Sequence, residues 1–526
     1  MKRFGLLVLL CLSFRGTAQD SLNSPVSNQF FTEVLKNYSK NPVNMACVPL
    51  KDYTASTLYY HFEEGALKQG GEPQGVQDFG LKTQGIYRTG MGITFFGDLL
   101  VKKTYYRDLA WNLSYMMPKK GMMPDPHYFG VSKPGNWSNQ HYELNGGVVI
   151  PVNQGWNLAL ETNYNLFNKY RVNLDPRPKI TYNKLTLGAN LSYNITKNHR
   201  FNMGYAFEQA AIINNINFSN NNQNEAVNYD IYIKWIAGYG SLMNVFEEDI
   251  KRKNKAQNFS LGYTFQNSSH QLLVTANLKR GENITFKEDV DDRVDNENSY
   301  FATFEPEAFQ LDIMGLKYKG KGKLIKAEYT YHRNLGENFL TAKGGKTYSN
   351  SLDEHMLSYS HIQQDAQGST KNEYGLKFQY WESSQQDALA VTRSDFKNGE
   401  IHFYGQKVVF ETKKIKLRPQ LRTSIIFNIE ENLENGNSQY LENIDEYDYM
   451  GFSLRDYYNQ VIMPDLQLVS STRINLEAGA YLDFISRQNL QSILNLKIGY
   501  LSSLESDNYH ANNQRLYTSL SLILNY

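Results

Sequence analysis

Two long runs of period-two alternation constrain this chain more than any other feature. Trp156, Leu158, Leu160, Thr162, Tyr164 and Leu166 share one parity, and Asn157, Ala159, Glu161, Asn163 and Asn165 share the other. A second run sets Leu185, Leu187, Ala189, Leu191, Tyr193 and Ile195 against Thr186, Gly188, Asn190, Ser192 and Asn194. Side chains alternate across a strand, so this period means strand and not helix. Strands in soluble domains mostly run to about five or six residues, and these are longer. One lipid-compatible face and one polar face over such a length is the pattern of an all-β, transmembrane, antiparallel outer-membrane β-barrel.

The start of the chain agrees with export. Lys2 and Arg3 precede the apolar run Gly5–Phe14, and Gly16-Thr17-Ala18 offers a small-residue cleavage site. The expected signal peptide is 1–18, leaving Gln19 first. Gly5–Phe14 is too short to span a bilayer as a helix. Losing Lys2, Arg3 and Arg15 takes the formal charge from +1 to −2, which gives no electrostatic case for nucleic-acid binding. Only Cys47 remains after cleavage, so no intrachain disulfide can form. The aromatic fraction of 13%, with 38 Tyr and 28 Phe, suits the aromatic girdles of a barrel.

Residues 19–76 do not read as a hairpin series. Phe30, Phe31, Val34 and Leu35 suit a short helix that Asn41-Pro42 would break, and 54–61 alternates modestly. The segment is expected to be a plug or hatch folded into the lumen, with the barrel spanning 77–526. Strands follow near 81–87, 93–102, 109–116, 142–152, 156–170, 182–195 and 201–210. Residues 213–255 are ambiguous, with 229–235 a candidate strand and 246–255 a charged loop or short helix. Further strands are predicted near 259–265, 271–279, 306–318, 323–333, 354–363, 371–382, 399–411, 414–429, 463–483, 489–503 and 510–526. Short joins alternate with long ones at 118–139, 170–181, 213–255, 283–303, 334–353, 383–397 and 430–460. Short turns belong on the periplasmic side and long loops outside. The count is about 18 strands, within a range of about 14 to 18.

Candidate site residues follow from the same parity. Lys416, Arg418 and Arg422 oppose Leu417, Leu421 and Ile425. A basic side chain on the lipid face at mid-depth costs roughly 2–4 kcal/mol, so the row must point inward. Lys326 and Glu328 are placed likewise. The plainer reading is a polar lumen satisfied by the chain's own segments and water; the sharper is an anion-attracting constriction. Asp175-Pro176-Arg177-Pro178-Lys179 reads as a rigid extracellular corner in which Asp175 and Arg177 can pair. Asp289, Asp291 and Asp292 lie in one acidic stretch, and Glu430–Asp448 forms another. Both are read first as solvated outer surface, and second as carboxylates offered to calcium. Neither has a fixed ligand spacing, so no metal or cofactor is predicted. Nucleophile-elbow, His-Glu-x-x-His and P-loop motifs are lacking. No enzyme is predicted.

The order Asn41-Pro-Val-Asn-Met-Ala46, Tyr142-x-Leu-Asn-Gly-Gly147 and Asp175-Pro-Arg-Pro-Lys179, the last following Tyr170-Arg171, resembles a Bacteroidota outer-membrane β-barrel family of unknown function, domain of unknown function 6850. Asn41, Pro42 and Asn44 are then the plug candidates, although Val43 stands where the common hatch pattern has Ala. The resemblance implies an accessory or structural barrel in a nutrient-uptake complex. Its implied partners are a TonB-dependent receptor and a surface lipoprotein, in iron or haem uptake. Outer-membrane lipids and lipopolysaccharide would surround it. The alternative is a passive channel or transporter for small hydrophobic or anionic solutes.

Overall fold

The long alternating runs are strands that close on themselves. The computed structural model describes residues 38, 40–48, 52–172, 174–217, 233–244, 250–287, 300–320, 322–364, 370–485, 491–505 and 514–525. Signal peptide 1–18, residues Phe30–Leu35, and Asp289, Asp291 and Asp292 lie outside them. In chain order the strands are β1 (Asp52–Gly65), β2 (Gly75–Arg88), β3 (Thr94–Leu109), β4 (Tyr128–Gly130), β5 (Gly135–Pro151), β6 (Trp156–Val172), β7 (Arg177–Asn194), β8 (His199–Asn217), β9 (Lys234–Ile236), β10 (Leu242–Asn244) and β11 (Ile250–Gln266). Then follow β12 (His270–Lys287), β13 (Tyr300–Tyr318), β14 (Lys323–Leu340), β15 (Tyr348–Gln364), β16 (Thr370–Asp387), β17 (Thr392–Lys407), β18 (Phe410–Glu411), β19 (Ile415–Asn435), β20 (Arg473–Ile485), β21 (Gln491–Ser503) and β22 (Gln514–Asn525).

The large sheet contains 19 strands, of which the two-residue β18 only extends one hairpin, leaving 18 antiparallel staves. β1 pairs with β22 from Ala55–Asn525 to Gly65–Arg515, so the sheet has no free edge. The outward parity is apolar: Leu160, Leu187, Leu261, Leu421 and Ile498 are all exposed. Aromatic residues rim this belt at the short-turn end, where Trp156 and Tyr193 have ring centroids 4.7 Å apart. No helix among the described residues is long and apolar enough to cross a membrane; the strands do so. A closed barrel with such a belt is a protein of the bacterial outer membrane.

Several boundaries differ from expectation. The barrel begins at Asp52, not 77, because β1 is the closing strand. Pro42–Cys47 forms a 3-10 helix, with Pro42 at its start and the Asn41 side chain accepting from Val43 N. Residues 250–255, expected as charged loop or helix, open β11. Residues 463–470, expected as strand, form a helix whose buried Asp465, Leu468 and Val469 share one face. β6 runs to Val172 and β7 starts at Arg177, and 388–391 is a tight join between β16 and β17. In each strand extension the ladder continues above the lipid belt, where both faces are polar and alternation carries no signal.

Candidate functional site

The lumen has a charged, partly open middle. Glu208 of β8 holds Lys184 at 3.8 Å and Lys279 at 3.0 Å. Glu477 of β20 holds Arg422 at 3.6 Å and Lys497 at 3.4 Å. Lys279 and Arg422 face inward, yet each side chain keeps 43% exposure. Inward groups inside a closed wall retain that exposure only if space remains between them.

Near the short turns, Tyr38 and residues 40–48 pack against the wall. Tyr38, Val43, Met45 and Val48 form one buried cluster with Ile86, Val149, Ala159, Leu273, Met314 and Ile362 of the wall. Asn41 Nδ2 donates to Asn202 Oδ1 at 2.5 Å, and Thr264 Oγ1 donates to Asn44 Oδ1 at 3.2 Å. Lys40 pairs with Asp312 at 2.6 Å. Arg88 Nη2 donates to the carbonyls of Ala46 at 2.8 Å and Val48 at 3.0 Å.

At the long-loop end three connections fold inward. The first is a strap, residues 110–134, pinned to several walls. Lys119 and Lys120 pair with Glu354 of β15 at 2.6 and 2.5 Å, and the Lys120 ammonium lies 4.0 Å above the Trp381 ring. Asp125 pairs with Arg252 of β11 at 3.0 Å and accepts from Asn283 of β12 at 2.7 Å. Lys169 of β6 donates to Ser114 O at 2.7 Å. The second connection adds β9 and β10, which join β4 of the strap in a three-stranded sheet. The third brings Tyr457, Val461 and Ile462 against Trp111 and Ile236. Burial holds the His127 imidazole down at about 4, so it is neutral near pH 7. It stacks on Trp235 at 4.9 Å. Burial also pushes the Asp465 carboxyl up to about 8, and that carboxyl accepts from Gly70 N at 2.8 Å.

The predicted site residues are now placed. Lys326, Lys416 and Arg418 face inward and are buried, each beside a carboxylate: Glu328 at 3.2 Å, Glu411 at 2.9 Å and Asp483 at 2.9 Å. Glu328 also accepts from Ser358 at 3.1 Å. The basic row therefore comes with its own counter-charges from neighbouring strands. Asp175 and Arg177 do pair, at 2.9 Å. Arg177 and Lys179, expected in a loop, are the first and third residues of β7. Asn41, Pro42 and Asn44 are all buried among the contacts above. Sequence reasoning missed the strap's anchors. Lys120, Trp111 and Asp125 carry no pattern; only the Pro- and Gly-rich composition of 118–130 marked a loop. Among the described residues no group of three or more His, Cys, Asp or Glu converges as a metal site would require.

Residues 42–526 match the model of a family of unknown function, DUF6850. The chain belongs to that family. No protein of curated function matches this DUF6850 chain. Among solved structures it is similar to the copper transporter OprC, at 8% identity and TM-score 0.41, covering 91% of this chain and 80% of that one. BauA, the ferric preacinetobactin receptor from Acinetobacter baumannii, matches at 8% identity and TM-score 0.40, covering 90% and 80%. OccK11 from Pseudomonas aeruginosa matches at 10% identity and TM-score 0.33, covering 90% and 95%. Likenesses this distant carry no inference about cargo.

Proposed function

We propose that this DUF6850 barrel is a gated outer-membrane transporter of small polar solutes, closed at rest at both ends of its lumen. The observation that carries this reading is the partly open, charge-paired middle of the lumen, flanked at each end by the chain's own segments. Residues 38–48 act as the periplasmic plug, with Asn41, Pro42 and Asn44 at its centre. The strap and its two neighbouring connections act as the outer cap, the long-loop end facing outside. Because Lys326, Lys416, Arg418 and Arg422 all hold carboxylates, the lining favours uncharged or zwitterionic solutes over anions. The polar lining also disfavours a hydrophobic cargo. The acidic outer residues serve as solvated surface, and the host is a Gram-negative bacterium, a member of the Bacteroidota by the resemblance. The accessory-subunit reading, with a TonB-dependent receptor and a surface lipoprotein in iron or haem uptake, rests on that resemblance alone. The lumen favours passage through the chain itself.

Planar-bilayer conductance tests the proposal. The intact protein should be silent. A variant lacking 38–48 and carrying a short Gly-Ser bridge in place of 111–130 should conduct steadily, and each single deletion should conduct far less. Steady conductance by the intact protein, or silence in a correctly folded double deletion, would sink it.

A further inference from the structure

A second space lies in the outer cap. Loop 66–74, the outer ends of β3 and β21, and the chain from Asn459 to Ser471 enclose a cavity of about 490 Å³. That size is within the usual range of roughly 300–1,000 Å³ for small-molecule sites. Its lining is rich in amides and hydroxyls, including Gln74, Asn459, Gln460, Gln467, Ser470 and Ser471.

The hydrogen bonding of this lining selects a ligand class. Ser470 Oγ donates to Gln467 O at 3.4 Å, and Ser471 Oγ donates to Leu468 O at 3.0 Å. These hydroxyl protons are used within the chain, which leaves the oxygens free to act only as acceptors. Gln467 Oε1 is buried with no hydrogen-bond partner, and a buried acceptor left unmet is costly. The charged groups of the lining are already engaged. Lys68 donates to Glu72 O at 2.8 Å, Glu505 accepts from Thr472 N at 3.0 Å, and Asp108 pairs with Arg107 at 3.4 Å. The amides of Gln74, Asn459 and Gln467 add N–H donors to these acceptors, and a lining that offers both suits a hydroxyl-rich ligand, which donates and accepts.

We propose that this cavity binds a small, uncharged, hydroxyl-rich solute, a mono- or disaccharide, as its first station at the outer mouth. The inference deepens the transport reading and rests on it for the word station; binding itself does not depend on transport. The cavity wall is tied to the strap, since Trp111 Nε1 donates to Gln460 Oε1 at 3.0 Å and Asn112 Nδ2 donates to Gly71 O at 3.1 Å. Occupancy of the cavity and the position of the strap are therefore linked.

Isothermal titration of the purified full chain in detergent tests the site. The probes are glucose, galactose, N-acetylglucosamine and maltose, with citrate and putrescine as charged controls. Saturable binding of at least one sugar is expected, weakened roughly tenfold by Gln467→Leu, the loss of one hydrogen bond to a buried group. Leu67→Trp, which fills the cavity, should abolish it. Heat-modifiable gel migration verifies that both variants are folded. A cavity that holds water alone shows no saturation with any of the four sugars and overturns the proposal. So does tighter binding of citrate or putrescine, or unchanged sugar affinity in Gln467→Leu. Sugar binding by a barrel that stays silent as the double deletion would uphold the site and reject the transport reading.

Discussion

The segments at the two ends of the barrel are held by different balances of forces. At the short-turn end one segment is held by an apolar cluster, a few hydrogen bonds and the Lys40–Asp312 ion pair, with Arg88 clamping its carbonyls. At the long-loop end three connections interlock, and the strap is fastened by ion pairs to β15 and to β11, four staves apart. Backbone strain follows the same division. The described non-glycine residues with positive φ are Asp108, Trp111, Lys120 and Val391, all at the long-loop end. At the other end positive φ falls on glycines such as Gly92, Gly320 and Gly322, which adopt it without penalty. A left-handed conformation costs a non-glycine residue roughly 1–2 kcal/mol and persists only where surrounding contacts over-determine it. The outer connections thus hold strain against specific charge contacts; the inner segment is held mainly by burial.

The largest test of this contrast is Glu354→Lys. It places a third ammonium beside Lys119 and Lys120 and converts both pairs to repulsion. The strap should open by more than roughly a hundredfold, since truncating one member of a buried pair alone costs about 3–5 kcal/mol. Protease cleavage within 110–134 would measure this, and residues 38–48 should stay protected. Loss of protection at both ends together would break the division. Next is Arg88→Ala. It removes charge-assisted hydrogen bonds, one of which alone is worth about 1.5–3 kcal/mol, so hydrogen exchange over 40–48 should rise at least about tenfold while the strap is unchanged.

A smaller effect is expected from pH. Burial raises the Asp465 carboxyl from an ordinary 3.8 to about 8, and raises Glu72 in the same direction. The closed cap keeps the Asp465 proton where an opened one releases it. Closure is therefore strongest below about pH 4 and weakens as pH rises to about 8, then levels. Exchange at the Gly70 amide should follow that course, and Asp465→Asn should flatten most of it. A pH-independent Gly70 amide in the unmodified chain would contradict the assignment. The smallest effect belongs to Val391→Gly, which relieves a φ of 52° at an exposed turn residue. Thermal unfolding should show stabilisation of about 1 kcal/mol; destabilisation would show that the Val391 side chain supports the turn.

The barrel, its inward basic row and its strand count were legible in the sequence. Alternation at Trp156–Leu166 and Leu185–Ile195 reports a wall with lipid on one side and water on the other, and that asymmetry is a local property. The counter-charges Asp483 and Glu477 were not legible as partners, because only the pairing of β19 with β20 brings them within reach of Arg418 and Arg422. The role of β1 in closing the barrel was equally hidden. Its alternation is modest, and its partner β22 lies at the far end of the chain.

The division has one cause. Period and the cost of charge in lipid act on each residue where it stands, so composition and order along the chain determined a membrane barrel of about 18 staves. What fills the barrel depends on contacts between segments far apart in sequence: Asn41 with Asn202, Lys120 with Glu354, Asp125 with Arg252, Gly70 with Asp465. Only closure of the wall brings those groups within reach of one another, so the tertiary structure alone decided which of the chain's segments meet.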